Sequence, residues 1–250
     1  VPESSVDKLI EIAKELRRRC PWDSVQTLES LSPFILEEAY ELVDAMKSGE
    51  GGKIKEELGD LMYLVLLCCV ICGESRGFGV EEVAGEISGK MVCRHPAVFA
   101  EGGSEADTSD YPTWYRLKRE NDKARKKRFA GIPAPLPALL KAEKVQLEAA
   151  ALGFDWKDAA GVVKKVEEEL SELKRALSGE GDVEHELGDL LFSVVNLSRF
   201  LHVSAEMALM SCARRFCRRF SLMEDELGRK GIPIEDASME EMDSAWENLK

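Results

Sequence analysis

At 250 residues, with 44% hydrophobic and 32% charged residues, the chain has room for one large or two ordinary domains and enough apolar content for a core. Its net charge of -13 argues against a nucleic-acid binder, which needs a basic footprint, but permits a phosphate-bearing substrate bridged by metal ions. No stretch reads as the roughly 18 apolar residues of a membrane helix, and the polar start at Val1-Pro2-Glu3-Ser4-Ser5 lacks a signal-peptide core, so a cytoplasmic protein is expected.

Residues 6–19 carry apolar Val6, Leu9, Ile10, Ala13 and Leu16 against a polar face, the stripe of a helix that Cys20-Pro21-Trp22-Asp23 ends. Trp22 reads as a helix-corner core residue rather than a base-stacking one. Ser32-Pro33 predicts a helix start, with Ser as N-cap and Pro at the first position. That helix runs to about Lys47, and Ser48-Gly49-Glu50-Gly51-Gly52 breaks it. The next opens near Lys53 and enters Leu61–Leu67, apolar on all sides, which suits a bundle interior or an interface. Cys69 and Cys72 have metal-like spacing but no second pair or histidine beside them. The seven cysteines read as free thiols of a reducing cytoplasm. A helix over 80–94 bears Lys90 and Arg94, and His95-Pro96 stops it. Residues 101–112 read as a loop. Structure resumes at Trp114–Lys118, and the basic run 118–128 reads as a solvated connecting helix. Gly131–Pro137 is a Pro-rich linker, placing domains at 1–130 and 138–250.

The second half repeats the plan. Glu38 and Glu169 differ by 131, as do Glu41 and Glu172; Glu57 and Glu186 differ by 129, as do Asp60 and Asp189. Lys90 pairs with Arg215, Arg94 with Arg219, Trp114 with Trp246 and Lys118 with Lys250. No β-rich segment and no Gly-x-x-x-x-Gly-Lys phosphate loop is present. The expected fold is all-α, with tandem duplicated helical-bundle domains.

Positions i and i+3 share a helix face. Glu169 and Glu172 therefore project together, as do Glu186 and Asp189, and antiparallel packing would bring four carboxylates to one place. Like charges repel and resist desolvation, and a hard divalent cation removes both costs; oxygen-only ligands suit Mg²⁺ or Mn²⁺. One such cluster alone would read as a solvated acidic face, but two copies in the same order favour metal sites. Gly59 and Gly188 sit in mid-helix between site residues, where close approach of a backbone or ligand would justify them.

These motifs carry a resemblance. Glu-Glu-x-x-Glu followed by Glu-x-x-Asp, twice, with Cys20-Pro21-Trp22-Asp23 and Gly153-Phe154-Asp155-Trp156, resembles the MazG-type nucleoside triphosphate pyrophosphohydrolases of the all-α pyrophosphatase superfamily. The resemblance covers nearly the whole chain. It implies a homodimer of helical bundles, Mg²⁺ dependence, and hydrolysis of nucleoside triphosphates of broad base range to monophosphate and pyrophosphate. Glu169, Glu172, Glu186 and Asp189 are the expected metal ligands, with a weaker second set at Glu38, Glu41, Glu57 and Asp60. Glu168 is the expected group to orient or deprotonate water. Arg215, Arg218 and Arg219 are expected to clamp phosphate, Asn196 to bind sugar or base, and Trp246 and Lys250 to close over the nucleotide.

The halves differ. Leu67 stands opposite Asn196, Cys93 opposite Arg218 and Lys90 opposite Arg215, so the second half is expected to be the main catalytic one. Three rival readings stand beside it. A dUTPase-like enzyme of narrow specificity would share the carboxylates. A non-catalytic helical adaptor leaves their repetition unexplained. A ferritin-like oxidase would use Glu-x-x-His, approximated only by Asp182 and His185.

Overall fold

A computed structural model describes residues 4–99 and 129–249. Trp114, Lys118, the 101–112 loop, the basic run over 118–128 and Lys250 lie outside the described residues. The chain divides into two compact units, Val1–Thr108 and Ser109–Lys250. Among the described residues both are helical, with no strand.

In the first unit, α1 (Ser5–Arg19) starts at a reciprocal capping box between Ser4 and Asp7 and packs on α3. Arg17 then pins the turn that follows, its Nη1 donating to the carbonyls of Asp23, Ser24 and Gln26 at 2.8, 2.9 and 2.9 Å. Helix α2 spans Leu28–Ser48, starting earlier than the Ser32-Pro33 signal predicts. Thr27 and Ser30 cap each other's backbone N–H, and this box overrides the proline, which lies inside the helix. Gly49, at φ 74°, closes α2 in the left-handed region.

Helix α3 (Gly51–Ser75) corrects one expectation. By length and composition it is apolar enough to cross a membrane. It nevertheless carries Glu57 and Asp60, and further along it buries Leu64, Leu66, Leu67, Cys69, Ile71 and Cys72. Leu64, Leu67 and Ile71 form a core with Leu31 of α2, flanked by Leu28, Ile35 and Tyr63. Burial pushes the Cys68 and Cys69 thiols up, as suits small buried hydrophobes, whereas Cys93, Cys212 and Cys217 are exposed; none of the seven is in a disulfide. Helix α4 (Val80–Arg94) is followed by the short α5 (Pro96–Phe99). Trp22, expected in the core, is 45% exposed and meets Phe34 edge to face at 5.5 Å.

The second unit contains α6 (Ala138–Ala150), α7 (Ala159–Leu177), α8 (Val183–Phe200), α9 (Ala205–Arg229) and α10 (Met239–Glu247). The α7–α8 pair matches the α2–α3 pair of the first unit, and in each unit this is the most extensive helix–helix contact. Helix α6 lies against α8, and α9 packs on α6, α8 and α10. Asp158 caps α7 through Gly161 N–H at 2.9 Å. Asp182 caps α8 through the N–H groups of Glu184 and His185. A small core of Met223, Leu227 and Ala245, flanked by Phe220 and Trp246, holds α10 on α9.

Candidate active site

In α7, apolar Val162 and Ala176 are buried on the same helix as Glu169. Burying that face draws Glu169 to 4% exposure. Ligand oxygens of Glu169, Glu172 and Glu186 lie within 4.8 Å of one another. Glu169 Oε2 is buried without a hydrogen-bond partner, and its other oxygen receives Lys165 Nζ at 2.6 Å. The same ammonium reaches Glu168 Oε1 at 2.9 Å. These bonds, to Glu169 first and Glu168 second, hold the Lys165 ammonium above the usual lysine range.

Asp189 stands apart from the three glutamates. Its Oδ2 lies 3.4 Å from His185 Nε2, and it lines the adjoining cavity rather than joining the trio. Three of the four expected ligands are thus gathered directly. An orphaned buried carboxylate oxygen beside two further carboxylates is a donor set that fits a hard divalent cation.

Next to the cluster is a cavity of about 740 Å³ that Glu169, Lys165 and Asp189 border on one side. Phe154, Trp156 and Phe192 give it aromatic walls, and Gln146, Ser193 and Asn196 give it polar ones. Two glycines shape the approach. Gly153, at φ 84°, turns the chain out of α6 into Phe154-Asp155-Trp156. At Gly161 an added Cβ would come within 2.9 Å of Trp156 Cε3, so the indole lies against the first turn of α7 only because that residue is Gly. Asp155 takes Arg199 through both guanidinium arms, at 3.0 and 2.5 Å. Arg199 also donates to Asn196 Oδ1, at 3.2 Å from Nε and 2.8 Å from Nη2.

The first unit repeats the carboxylates, with core residues at several of the positions that line the cavity in the second. Oxygens of Glu38, Glu41 and Glu57 also lie within 4.8 Å of one another, Glu38 and Glu41 being more exposed than Glu169 and Glu172, and Asp60 again stands outside the trio. Desolvation first, then repulsion from Glu41, raises the pKa of both Glu38 and Glu57. With Glu38 aligned on Glu169, Leu31 corresponds to Val162 and Phe34 to Lys165. With Asp60 aligned on Asp189, Tyr63, Leu64 and Leu67 correspond to Phe192, Ser193 and Asn196. Leu31, Leu64 and Leu67 are the first unit's packed core. Apolar side chains fill the place where the second unit has its polar cavity.

Arg215 and Arg218 are exposed on α9 and do not border the cavity. Arg219 lies under Trp246, its guanidinium 4.0 Å from the indole centroid and bonded to the Trp246 carbonyl. Trp246 also meets Phe216 at 5.2 Å, so it is joined to α9 rather than gathered with the carboxylates. The close approach of another backbone expected at Gly59 and Gly188 is not found within the chain: a Cβ at either would meet no protein atom within 4 Å. Sequence reasoning missed Lys165 and Gln146. Lys165 had a readable signal, lying four residues before Glu169 on the same face. Gln146 comes from α6 and had none.

A family model described as MazG nucleotide pyrophosphohydrolase domain matches residues 26–99 and again 153–226. The chain is 40% identical over 247 residues to the nucleoside triphosphate pyrophosphohydrolase/pyrophosphatase MazG of Thermotoga maritima, covering 98% of this chain and 95% of that protein. It is 35% identical over 256 residues to a nucleoside triphosphate pyrophosphohydrolase of Escherichia coli, covering 99% and 97% respectively. A solved MazG-related protein from Thermotoga maritima aligns with 47% of this chain and 98% of its own at 26% identity and TM-score 0.39.

Proposed function

This chain belongs to the MazG nucleotide pyrophosphohydrolase family, and from that premise we propose that its second unit carries the activity. The enzyme is a nucleoside triphosphate pyrophosphohydrolase. In our reading it accepts ribo- and deoxyribonucleotides of several bases, depends on Mg²⁺, with Mn²⁺ as a substitute, and clears nucleotides in a reducing cytoplasm. One observation carries the assignment to the second unit. There the converging carboxylates open onto an aromatic and amide-lined cavity, whereas the first unit fills the matching space with Leu31, Leu64 and Leu67.

Glu169, Glu172 and Glu186 would hold the cation, with Asp189 reaching it from the cavity edge. Bound there, it would offset charge on the triphosphate and on the departing pyrophosphate. Phe154, Trp156 and Phe192 receive the nucleoside, leaving its phosphates toward the acidic cluster. Glu168, exposed and one residue from Glu169, is placed to orient or deprotonate the attacking water. Lys165 is the nearest cation to that cluster and can turn from Glu169 toward a phosphate oxygen. Arg215 and Arg218 remain available to an incoming triphosphate as exposed cations.

Homodimerisation belongs to the same reading. Leu58, Met62 and Val65 on α3, and Leu187, Leu191 and Val194 on α8, are exposed and spaced as single apolar stripes beside the carboxylates. A second copy would cover them and complete four-helix bundles. Light scattering that gave a monomer mass at micromolar concentration would remove that part.

The primary test is pyrophosphate release from a panel of ribo- and deoxyribonucleoside triphosphates, with and without Mg²⁺. Monophosphate and pyrophosphate from several bases, dependent on Mg²⁺, is the expected result. Orthophosphate would mean attack at the γ-phosphorus and overturn the reading. Turnover of a single base would replace broad tolerance with a dUTPase-like narrow enzyme.

A further inference from the structure

Gln146 is 6% exposed and lines the cavity from α6. Its Nε2 donates to the Phe192 carbonyl at 2.8 Å. A carbonyl only accepts, so this bond fixes the orientation of the amide. Gln146 Oε1 is left buried with no hydrogen-bond partner. An unmatched buried acceptor is costly to maintain, and it demands a donor from whatever fills the cavity. Across the same cavity, Asn196 has its orientation set in the opposite sense. Its oxygen is held by Arg199, which can only donate, so its NH₂ is the side left for a ligand.

A nucleoside triphosphate has two kinds of donor to offer, the N–H groups of its base and the hydroxyls of its sugar. Ionised phosphates offer none. Val145 and Ala149, on the same helix as Gln146, and Phe192, whose carbonyl it holds, line the cavity with apolar surface that suits a base better than a hydroxylated sugar.

We propose that Gln146 is a specificity-determining residue that accepts a hydrogen bond from an N–H of the nucleobase. The proposal rests on the reading of the second unit as the nucleotide site. It gives the enzyme tolerance among natural bases, each of which carries at least one N–H, together with rejection of rings that carry none.

The test compares kcat/KM for pyrophosphate release in wild type and Gln146→Met. ATP and GTP are measured against purine riboside triphosphate, and CTP and UTP against pyrimidin-2-one riboside triphosphate; neither comparator has a base N–H. The 2′-deoxy and 3′-deoxy forms of the preferred base are run alongside. Wild type is expected to favour the natural bases by about tenfold or more. Gln146→Met is expected to bring that ratio within about threefold, the loss falling on the natural bases, with the deoxy ratios unchanged. Because each ratio is taken within one protein preparation, partial misfolding cancels. A wild-type preference that survives in the variant overturns the proposal. So does an equal loss on all substrates, which would assign Gln146 only to anchoring Phe192. A change confined to the deoxy ratios would place the sugar on Gln146 instead. Wild type that releases pyrophosphate from no triphosphate sinks the functional reading, and this inference with it.

Discussion

Lys165 places its ammonium 2.6 Å from a buried carboxylate oxygen of Glu169. Phe34, its counterpart, offers Glu38 no charge and meets Trp22 edge to face instead. The second unit thus carries a lysine beside its acidic cluster at a position where the first carries a phenylalanine. Lys165→Met should destabilise the cation-free protein by about 2 kcal/mol, reduced from a fully buried pair because the lysine is partly exposed. Mg²⁺ should restore more melting temperature to the variant than it adds to wild type. Equal Mg²⁺ increments in both proteins, read by calorimetry, would show that the lysine and the cation do not share a role.

The mutual repulsion within the first unit's cluster should show in its pH dependence. Glu38 and Glu57 titrate above the ordinary glutamate value of 4.5, by desolvation first and Glu41 next. A carboxylate whose pKa is higher folded than unfolded binds more protons in the folded state. Its contribution to stability is therefore lost as pH rises from that value through the folded pKa, and regained on acidification. Replacing Glu41 by Gln removes a repelling neighbour of both, so the melting temperature of the variant should gain on wild type as pH rises from 4.5 to 7. Parallel profiles for the two proteins would count against this coupling.

Catalytic asymmetry gives a sharper contrast. Glu172→Gln should lower kcat/KM by about a hundredfold, since it removes a charge from the cluster that borders the cavity. Glu41→Gln should leave it within about threefold. Steady-state kinetics on both, with circular dichroism to verify folding, decides the matter, and comparable losses would mean that both units turn over substrate.

Arg199 reaches Asn196 and Asp155 together, so it positions the Asn196 amide rather than acting on the reaction. Arg199→Leu should raise KM about tenfold with little change in kcat, because the amide is then free to turn. A loss confined to kcat would contradict a positioning role.

Trp246 packs on Arg219 and Phe216 over the Met223–Leu227–Ala245 core. Trp246→Ala should cost about 3 kcal/mol in urea unfolding. Well below the melting temperature, any remaining loss of kcat/KM would measure its expected part in closing over the nucleotide.

The helical duplication and the paired glutamates were legible because both are local signals, a 3.6-residue period and an i, i+3 spacing. Pro33 misled because a proline at a helix start and a proline tolerated inside one look alike, and the Thr27–Ser30 box decided between them. The cavity was not legible: its walls come from α6, α7, α8 and the Gly153–Trp156 turn, and no spacing within one helix encodes their meeting. Leu67 opposite Asn196 and the Gly153-Phe154-Asp155-Trp156 segment were its visible traces. The orphaned Gln146 oxygen depends on a bond to the backbone of another helix, a contact that periodicity does not encode.

The filled core of the first unit also makes the divergence between the copies hard to reverse. Placing Asn at position 67, now fully buried, would strand an amide among leucines at roughly 1–3 kcal/mol before any cavity existed for it to serve. Charge at position 34 would add nothing until that space had opened. Asn at position 67 would carry that cost until its neighbours changed with it, so the packed core itself holds the apolar residues of the first copy in place.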